Sequence, residues 1–245
     1  MNRALIVGAT SAIAVAVARR FATRGDALFL GARNTARLAS VADDLRVRGA
    51  SCASVGHYDA TDYAGHEAFL DAAWDALGSV DIALIAHGAL PDQARCEKCF
   101  DAAREALDVN MLGVASLATG LANRFERQGH GTLAVVSSVA ADRGRQSNYV
   151  YGAGKAAVDV LFQGLRNRLH RSGVHVLTIK PGFVDSPMTR DFDKGPLWVT
   201  PDDIARDVVR AIGSRREIAY VPRFWWLISV ALRAIPERAF KRMSL

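Results

Sequence analysis

The sequence predicts an α/β protein: one doubly wound domain with a seven-stranded parallel sheet and a C-terminal amphipathic helix. Three observations predict it. Short apolar runs alternate with amphipathic stretches along the whole chain, the pattern of βαβ units whose strands are buried on both faces. The first apolar run ends at Gly8 and passes through Ala9-Thr10-Ser11 directly into a helix. Half of the 245 residues are apolar, enough for a substantial core, and no repeat, linker or low-complexity stretch divides the chain.

The strands are expected at Ala4–Val7, Ala27–Leu30, Ser51–Val55, Ile82–Ala86, Thr132–Ser137, Val174–Ile179 and Ile218–Val221. Helices fill the intervals, including a long one before Leu121 and one from about Tyr149 to Leu169. Arg3 followed by the apolar Ala4–Ala18, ending in Ala-Val-Ala, imitates a secretory signal with a small-residue cleavage site. Gly8-Ala-Thr-Ser interrupts that run, and the fold needs the segment as its first strand and helix. Cys52, Cys96 and Cys99 are too few and too uneven for a disulfide framework, which fits a reducing, cytoplasmic setting. Cys96-Glu-Lys-Cys99 has metal or redox spacing, but no second cysteine pair or paired histidine follows it. It therefore reads as structural, and no metal is expected.

Four residues carry the chemistry. Tyr151 and Lys155 form a Tyr-x-x-x-Lys pair on the predicted helix, and positions i and i+4 share one helix face. A free tyrosine titrates near 10, and a nearby ammonium favours its phenolate. Such a tyrosine can pass a proton to or from an oxygen. Ser138 lies 13 residues before Tyr151, just after the fifth apolar run, and would hydrogen-bond the same oxygen. Asn110, upstream in Asp-Val-Asn-Met, would hold a water that relays protons to Lys155.

With these four in this order, the chain resembles the short-chain dehydrogenase/reductase family over residues 3–222. The resemblance implies a Rossmann-type fold, a nicotinamide cofactor, interconversion of a ketone and a secondary alcohol, and a homo-oligomer. It makes 1–222 the dinucleotide-binding domain with the active site, and 223–245 a helical extension of it. The family's first turn is Gly-x-x-x-Gly-x-Gly. Here Gly8 is kept, with Thr10, Ser11 and Ile13 in the turn, and Ala12 and Ala14 replace the later glycines. The pyrophosphate would lie against this turn and the helix N-terminus. Arg33 follows the second strand where an acid would bond the ribose 2′-hydroxyl of NAD; an arginine there favours NADP(H) over NAD(H). Asp59-Ala60 resembles the pair that touches adenine. Ile85-Ala86-His87-Gly88 keeps Gly88 of the family's Asn-Asn-Ala-Gly and lacks both asparagines, which normally brace the central sheet. His87 would line the cofactor pocket or pack as a satisfied histidine. Pro181-Gly182-Phe-Val184-Asp-Ser186 resembles the nicotinamide loop, with Ser186 in place of threonine.

Two regions bear on the substrate. Arg143 and Arg145, between Ser138 and Tyr151, would either clamp an anionic group such as phosphate or form a solvated basic loop. After the seventh strand comes an aromatic and aliphatic segment flanked by Arg and Lys. Its uncharged stretch, Phe224–Leu232, is nine residues. That is far short of the roughly 20 needed to span a bilayer. Such a helix lies in the inner membrane interface as a peripheral contact, packs on its own domain, or packs on a second subunit. Residues 211–245 hold seven Lys/Arg and two Glu, so they carry +5 of the chain's +6. No nucleic-acid recognition module accompanies this charge. Three stretches, Ile82–Gly88, Arg145–Lys155 and Arg233–Arg242, are similar to a branch of the family that reduces a polyprenyl-phosphate-linked 2-keto-pentose. The resemblance implies a flavin oxidase partner that makes the ketone. A reductase for another apolar ketone (steroid, acyl chain or xenobiotic) and a non-catalytic dinucleotide sensor are the alternatives.

Overall fold

In the computed structural model, which describes residues 1–243, seven parallel strands form a single sheet. They are β1 (Arg3–Val7), β2 (Ala27–Ala32), β3 (Cys52–His57), β4 (Ile82–Ile85), β5 (Thr132–Val136), β6 (His175–Pro181) and β7 (Ile218–Val221). Their order is β3-β2-β1-β4-β5-β6-β7. Helices α1 (Ala12–Ala22), α2 (Thr35–Val47), α3 (His66–Leu77), α4 (Gln93–Lys98), α5 (Phe100–Leu107), α6 (Gly113–Gln128), α7 (Tyr149–Leu169) and α8 (Pro201–Gly213) fill the crossovers. The C-terminal segment forms α9 (Trp225–Ala234) and α10 (Glu237–Phe240). Ser244 and Leu245, the end of the 223–245 extension, lie outside the described residues.

Alternation along each strand builds two cores. Ala4 and Ile6 of β1 join one cluster with α1 and α8, while Leu5 and Val7 join the other with α3, α6 and α7. Ala4 to Val7 are wholly buried, and β1 pairs with both β2 and β4. The stretch that imitates a signal is thus the central strand and its following helix. The strand order reverses between β1 and β4, which opens a crevice at their carboxyl ends.

Several boundaries differ from the sequence expectation. β3 starts at Cys52, not Ser51, and continues to His57, because β2 runs through Gly31 and Ala32 and offers partners that far. Ala86 and Ser137 fall just past their strands, although their N–H groups still donate to Val7 and Ile179 carbonyls at 2.8 Å. The C-terminal helix is broken: Ile235 is extended (φ −66°, ψ 123°), as a residue before proline tends to be, and α10 restarts after Pro236. Cys96 lies in α4, while Cys99 is in the extended break before α5 (φ −141°), so the two do not share one helix. Among the described residues, no His/Cys/Asp/Glu cluster is placed to hold a metal, and no helix is long and apolar enough to cross a membrane.

Candidate active site

The carboxyl ends of β1, β4, β5 and β6 bring the predicted site residues to one rim. Gly8 leaves β1 at φ +76°, a conformation that L side chains rarely adopt. A Cβ there would also sit 2.5 Å from the His87 nitrogen, so the β1 and β4 turns touch through this glycine. Ser11 caps α1, its Oγ accepting from the Ala14 N–H at 3.2 Å. The first-turn N–H groups at Ala12 and Ile13 have no intrahelical acceptor and face the end where an anion is favoured. Ala14 is wholly buried against the sheet, so its methyl group is accommodated by packing. Thr10 completes the turn. The cradle therefore fits a dinucleotide pyrophosphate despite the missing glycines.

Arg33 is the first residue after β2 and is exposed, and its charge helps hold Asp59 below the usual carboxylate range. The larger cause there is the Thr61 N–H donated to Asp59 Oδ1 at 2.9 Å. Ala60 is buried under Gly113, where a Cβ would be 2.3 Å from the Ala60 carbonyl oxygen. His87 packs against Tyr58 with ring centroids 5.4 Å apart. It is packed but not satisfied: neither ring nitrogen has a hydrogen-bond partner among the described residues. Burial holds it neutral, with its pKa pushed down to about 3.

The work of the absent family asparagines falls partly to Asn110. It lies in a π-helical turn, Asp108–Leu112, between α5 and α6. Its Nδ2 donates to the Ala89 carbonyl at 2.7 Å and the Ala106 carbonyl at 2.9 Å, and its Oδ1 accepts from the Ala89 N–H at 3.1 Å. This amide pins the loop after β4. Its two N–H donors are used within the fold, so the relay water that the sequence reading gives this residue would be held through oxygen rather than through this amide nitrogen. Gly88 is squeezed between Asn110 and Lys155, with a Cβ position 3.0 Å from Asn110 Oδ1 and 3.3 Å from Lys155 Nζ.

Ser138 opens a 3-10 turn, Val139–Asp142, and its Oγ accepts from the Ala140 N–H at 3.1 Å. Helix α7 lies against this turn because Gly152 allows it: a Cβ there would be 2.9 Å from the Ala140 carbonyl oxygen. Tyr151 thereby faces Ser138. Desolvation pushes its phenol up to about 12, with the Ser138 hydroxyl acting in the opposite direction. Lys155 is 3% exposed, and burial pushes it down to about 8 while Asp159 acts to raise it. Its Nζ donates to the Val136 carbonyl at 2.9 Å and stands 5.7 Å from the Tyr151 ring centre. The expected lowering of the tyrosine pKa by Lys155 is not found here. Desolvation dominates, and the ammonium's bond goes to the strand carbonyl. The phenol is therefore protonated at neutral pH.

Pro181 ends β6, and the Gly182 N–H donates to the Val221 carbonyl at 3.2 Å. Val184 bridges to Val199, and Ser186 starts a short 3-10 turn closed by Thr189. The sequence reading missed what covers this loop. The Trp225 indole lies on Gly182 so closely that a Cβ there would be 1.8 Å from its Nε1. Phe183 stacks on Trp198 at 5.3 Å and meets Trp225 edge-on at 5.0 Å. Phe183, Met188, Phe192, Leu197, Trp226 and Leu227 are exposed around them.

Arg143 does not present a free guanidinium to a substrate. Its Nη1 donates to the Leu232 carbonyl at 2.6 Å and the Ile235 carbonyl at 2.5 Å, capping the end of α9. Its Nη2 pairs with Glu237 at 2.9 Å, and its guanidinium lies 3.7 Å from the Phe240 ring centre. The carbonyls at a helix C-terminus lack intrahelical donors, so a cation is stabilising there. Arg145 is partly buried: desolvation lowers its pKa, while the nearby Asp142 charge acts to raise it.

Comparison with known proteins agrees with this geometry. The profile of the family described as short chain dehydrogenase matches residues 2–196. The chain is 37% identical over 239 residues to an uncharacterized oxidoreductase of Mycobacterium tuberculosis, covering 98% of this chain and 96% of that one. It is 36% identical over 241 residues to an uncharacterized oxidoreductase of Streptomyces coelicolor, covering 98% and 94%. An alcohol dehydrogenase from the archaeon Thermococcus sibiricus, solved with 5-hydroxy-NADP, superimposes with a TM-score of 0.79 at 26% identity, covering 90% of this chain and 94% of that one. A short-chain dehydrogenase/reductase from Burkholderia phymatum, solved with NAD, shares the fold with a TM-score of 0.86 at 23% identity, covering 100% and 96%. Seven parallel strands in this order, the Ser138–Tyr151–Lys155 grouping at their carboxyl ends and the match over most of its length place the chain in the short-chain dehydrogenase/reductase family of NAD(P)-dependent oxidoreductases.

Proposed function

We propose that this protein is an NADP(H)-dependent reductase acting on a ketone carried by an apolar molecule, in its most specific form a polyprenyl-phosphate-linked 2-keto-pentose. The observation that carries the reaction is the approach of the Ser138 turn to α7 at Gly152, with a protonated Tyr151 phenol between them. Bound NADP(H) supplies hydride to the carbonyl carbon. The pyrophosphate is held by the Gly8 turn and α1, with Asp59, Ala60 and Gly88 around the adenosine half. Pro181, Gly182, Val184 and Ser186 flank the nicotinamide, and Lys155 bonds its ribose. Ser138 Oγ orients the carbonyl oxygen, and Tyr151 donates the proton that completes the alcohol. Arg33 supports NADP(H), because no acid stands at the end of β2 and a guanidinium there can meet the 2′-phosphate.

What borders the nicotinamide loop favours an apolar substrate. Phe183, Phe192, Trp198 and α9 form an aromatic wall beside Pro181-Gly182, suited to an acyl or isoprenoid chain. Three stretches, Ile82–Gly88, Arg145–Lys155 and Arg233–Arg242, resemble decaprenylphosphoryl-2-keto-ribose reductase. In this reading Arg145 meets the lipid-linked phosphate. The exposed Trp226 and Leu227, among Arg223, Arg233, Arg238, Lys241 and Arg242, rest on the inner face of an anionic membrane. The ketone comes from a flavin oxidase partner, and the reductase works as a homo-oligomer. The variant Tyr151→Phe tests the chemistry. Turnover of polyprenyl-phospho-2-keto-pentose should fall by roughly 100-fold or more while NADPH binding is kept. Near-normal turnover in that variant would overturn the mechanism.

A further inference from the structure

Beneath the catalytic pair runs a buried polar chain that the reaction described above does not use. Ser137 Oγ donates to Asp159 Oδ1 at 2.5 Å. Lys180 Nζ lies 2.6 Å from Asp159 Oδ2 and also pairs with Asp142 Oδ1. The Tyr220 hydroxyl donates to that same Asp142 oxygen at 3.2 Å. The Lys180, Asp142 and Asp159 side chains are 9%, 5% and 10% exposed. Two carboxylates thus share one ammonium, with Arg166 acting on Asp159 and Arg145 on Asp142 from further off, while burial works to raise the Asp159 pKa. An uncompensated charge is costly at this depth.

A further buried cation, Lys155, stands one helical turn from Asp159. Asp159 follows Lys155 by four residues on α7, and Lys155 has only a neutral carbonyl for its own bond. Of the two carboxylates, only Asp159 acts on Lys155. The other groups facing Lys155 add nothing: Tyr151 on its own helix, His87 after β4, Asn110 from the π turn and Ser138 after β5 are all neutral. Lys180 on β6 repels it and is itself spent on the two carboxylates.

We propose that Asp159 is a positioning residue of the reaction: fixed by Ser137 and Lys180, it supplies the counter-charge that keeps Lys155 an ammonium in the active site. Lys180 and Asp142 serve it by holding its carboxylate in place and by tying the Ser138 turn to the same anchor. Desolvation pulls Lys155 down, and Asp159 is the charge that opposes this. The proposal rests on the role given to Lys155, but its test needs no turnover.

The chain has five lysines, Lys98, Lys155, Lys180, Lys194 and Lys241, so lysine-13Cε NMR of the full protein resolves Lys155 by single Lys→Arg assignments. In Asp159→Asn, an isosteric change that keeps an acceptor for Ser137, the Lys155 midpoint should fall by about one pH unit or more. Asp142→Asn, one step further along the chain, should leave it in place. A purely structural role predicts that the two variants act alike. If Asp159→Asn fails to fold, the triple variant D142N/D159N/K180M removes the whole group without stranding a buried ion and should show the same fall. An unmoved Lys155 in whichever variant folds, or equal shifts in D142N and D159N, overturns the proposal. A fully active Tyr151→Phe would instead overturn the catalytic reading and leave this result standing.

Discussion

Replacing Arg143 with alanine should free the end of the C-terminal segment while the sheet stays folded. The wild-type guanidinium bonds the Leu232 and Ile235 carbonyls at 2.6 and 2.5 Å, pairs with Glu237, and lies over Phe240. Each charge-assisted bond to a carbonyl contributes about 1.5–3 kcal/mol. The Glu237 carboxylate is 78% exposed, so that pair adds at most ~1 kcal/mol. The cation–π contact adds about 0.5–2 kcal/mol. The conformational entropy that α10 regains when it opens, about 1–2 kcal/mol per residue over its four residues, is the same in both proteins and cancels from the difference. The two carbonyl bonds alone, at the low end of their range, make local opening easier by about 3 kcal/mol in the variant. That corresponds to roughly 100-fold faster amide exchange in the segment. Hydrogen-exchange mass spectrometry reads this directly. Peptides covering residues 230–243 should exchange much faster in the variant, while those from β1, β4 and β5 keep their protection. Arg143→Lys should fall between, since one ammonium cannot span two carbonyls, a carboxylate and a ring. Unchanged exchange over 230–243 in Arg143→Ala would refute the view that this arginine holds the tail.

Two further perturbations test the packing around the site. His87 is held neutral with a pKa pushed down to about 3, so the unfolded chain takes up its proton near pH 6.5 while the native state does not. Stability should therefore fall as the pH drops from about 6.5 toward 3, by up to ~1.4 kcal/mol per unit from this group alone. Urea melts of His87→Phe should lack that component, and a pH slope equal to wild type would refute it. Gly182→Ala places a methyl group on the Trp225 indole, which is 2% exposed. Overpacking there should cost at least ~1–3 kcal/mol and shift Trp fluorescence as the indole moves out; wild-type stability and emission would show that Trp225 does not sit on this loop.

The strands were visible because each is buried on both faces, so a plain apolar run marks it, and their errors fall at ends set by a neighbour. β3 reaches His57 only because β2 continues to Ala32, a pairing that single-sequence patterning does not contain. The Ser138–Tyr151–Lys155 grouping was legible because Tyr and Lys share one helix and Ser138 follows an apolar strand. Arg143 was misread because spacing places a residue on a loop but not the direction of its side chain. The α9 carbonyls that it caps are about 90 residues away in sequence. The Asp159 chain has one signal in the sequence: Lys180 is a charge inside an apolar strand, and a buried charge requires a partner. That the partners are Asp159 and Asp142 is a tertiary fact. The break of the tail at Ile235-Pro236 was available from the sequence and was overridden by the apolar pattern.

The central claim is tested most directly by titrating the purified protein with NADPH and NADH, then adding a polyprenyl-phospho-2-keto-pentose and following nicotinamide absorbance at 340 nm. The account predicts tighter binding of NADPH, weakened selectively by Arg33→Ser, and consumption of one NADPH per alcohol formed. Preference for NADH, or NADPH binding without turnover of that ketone, would contradict it.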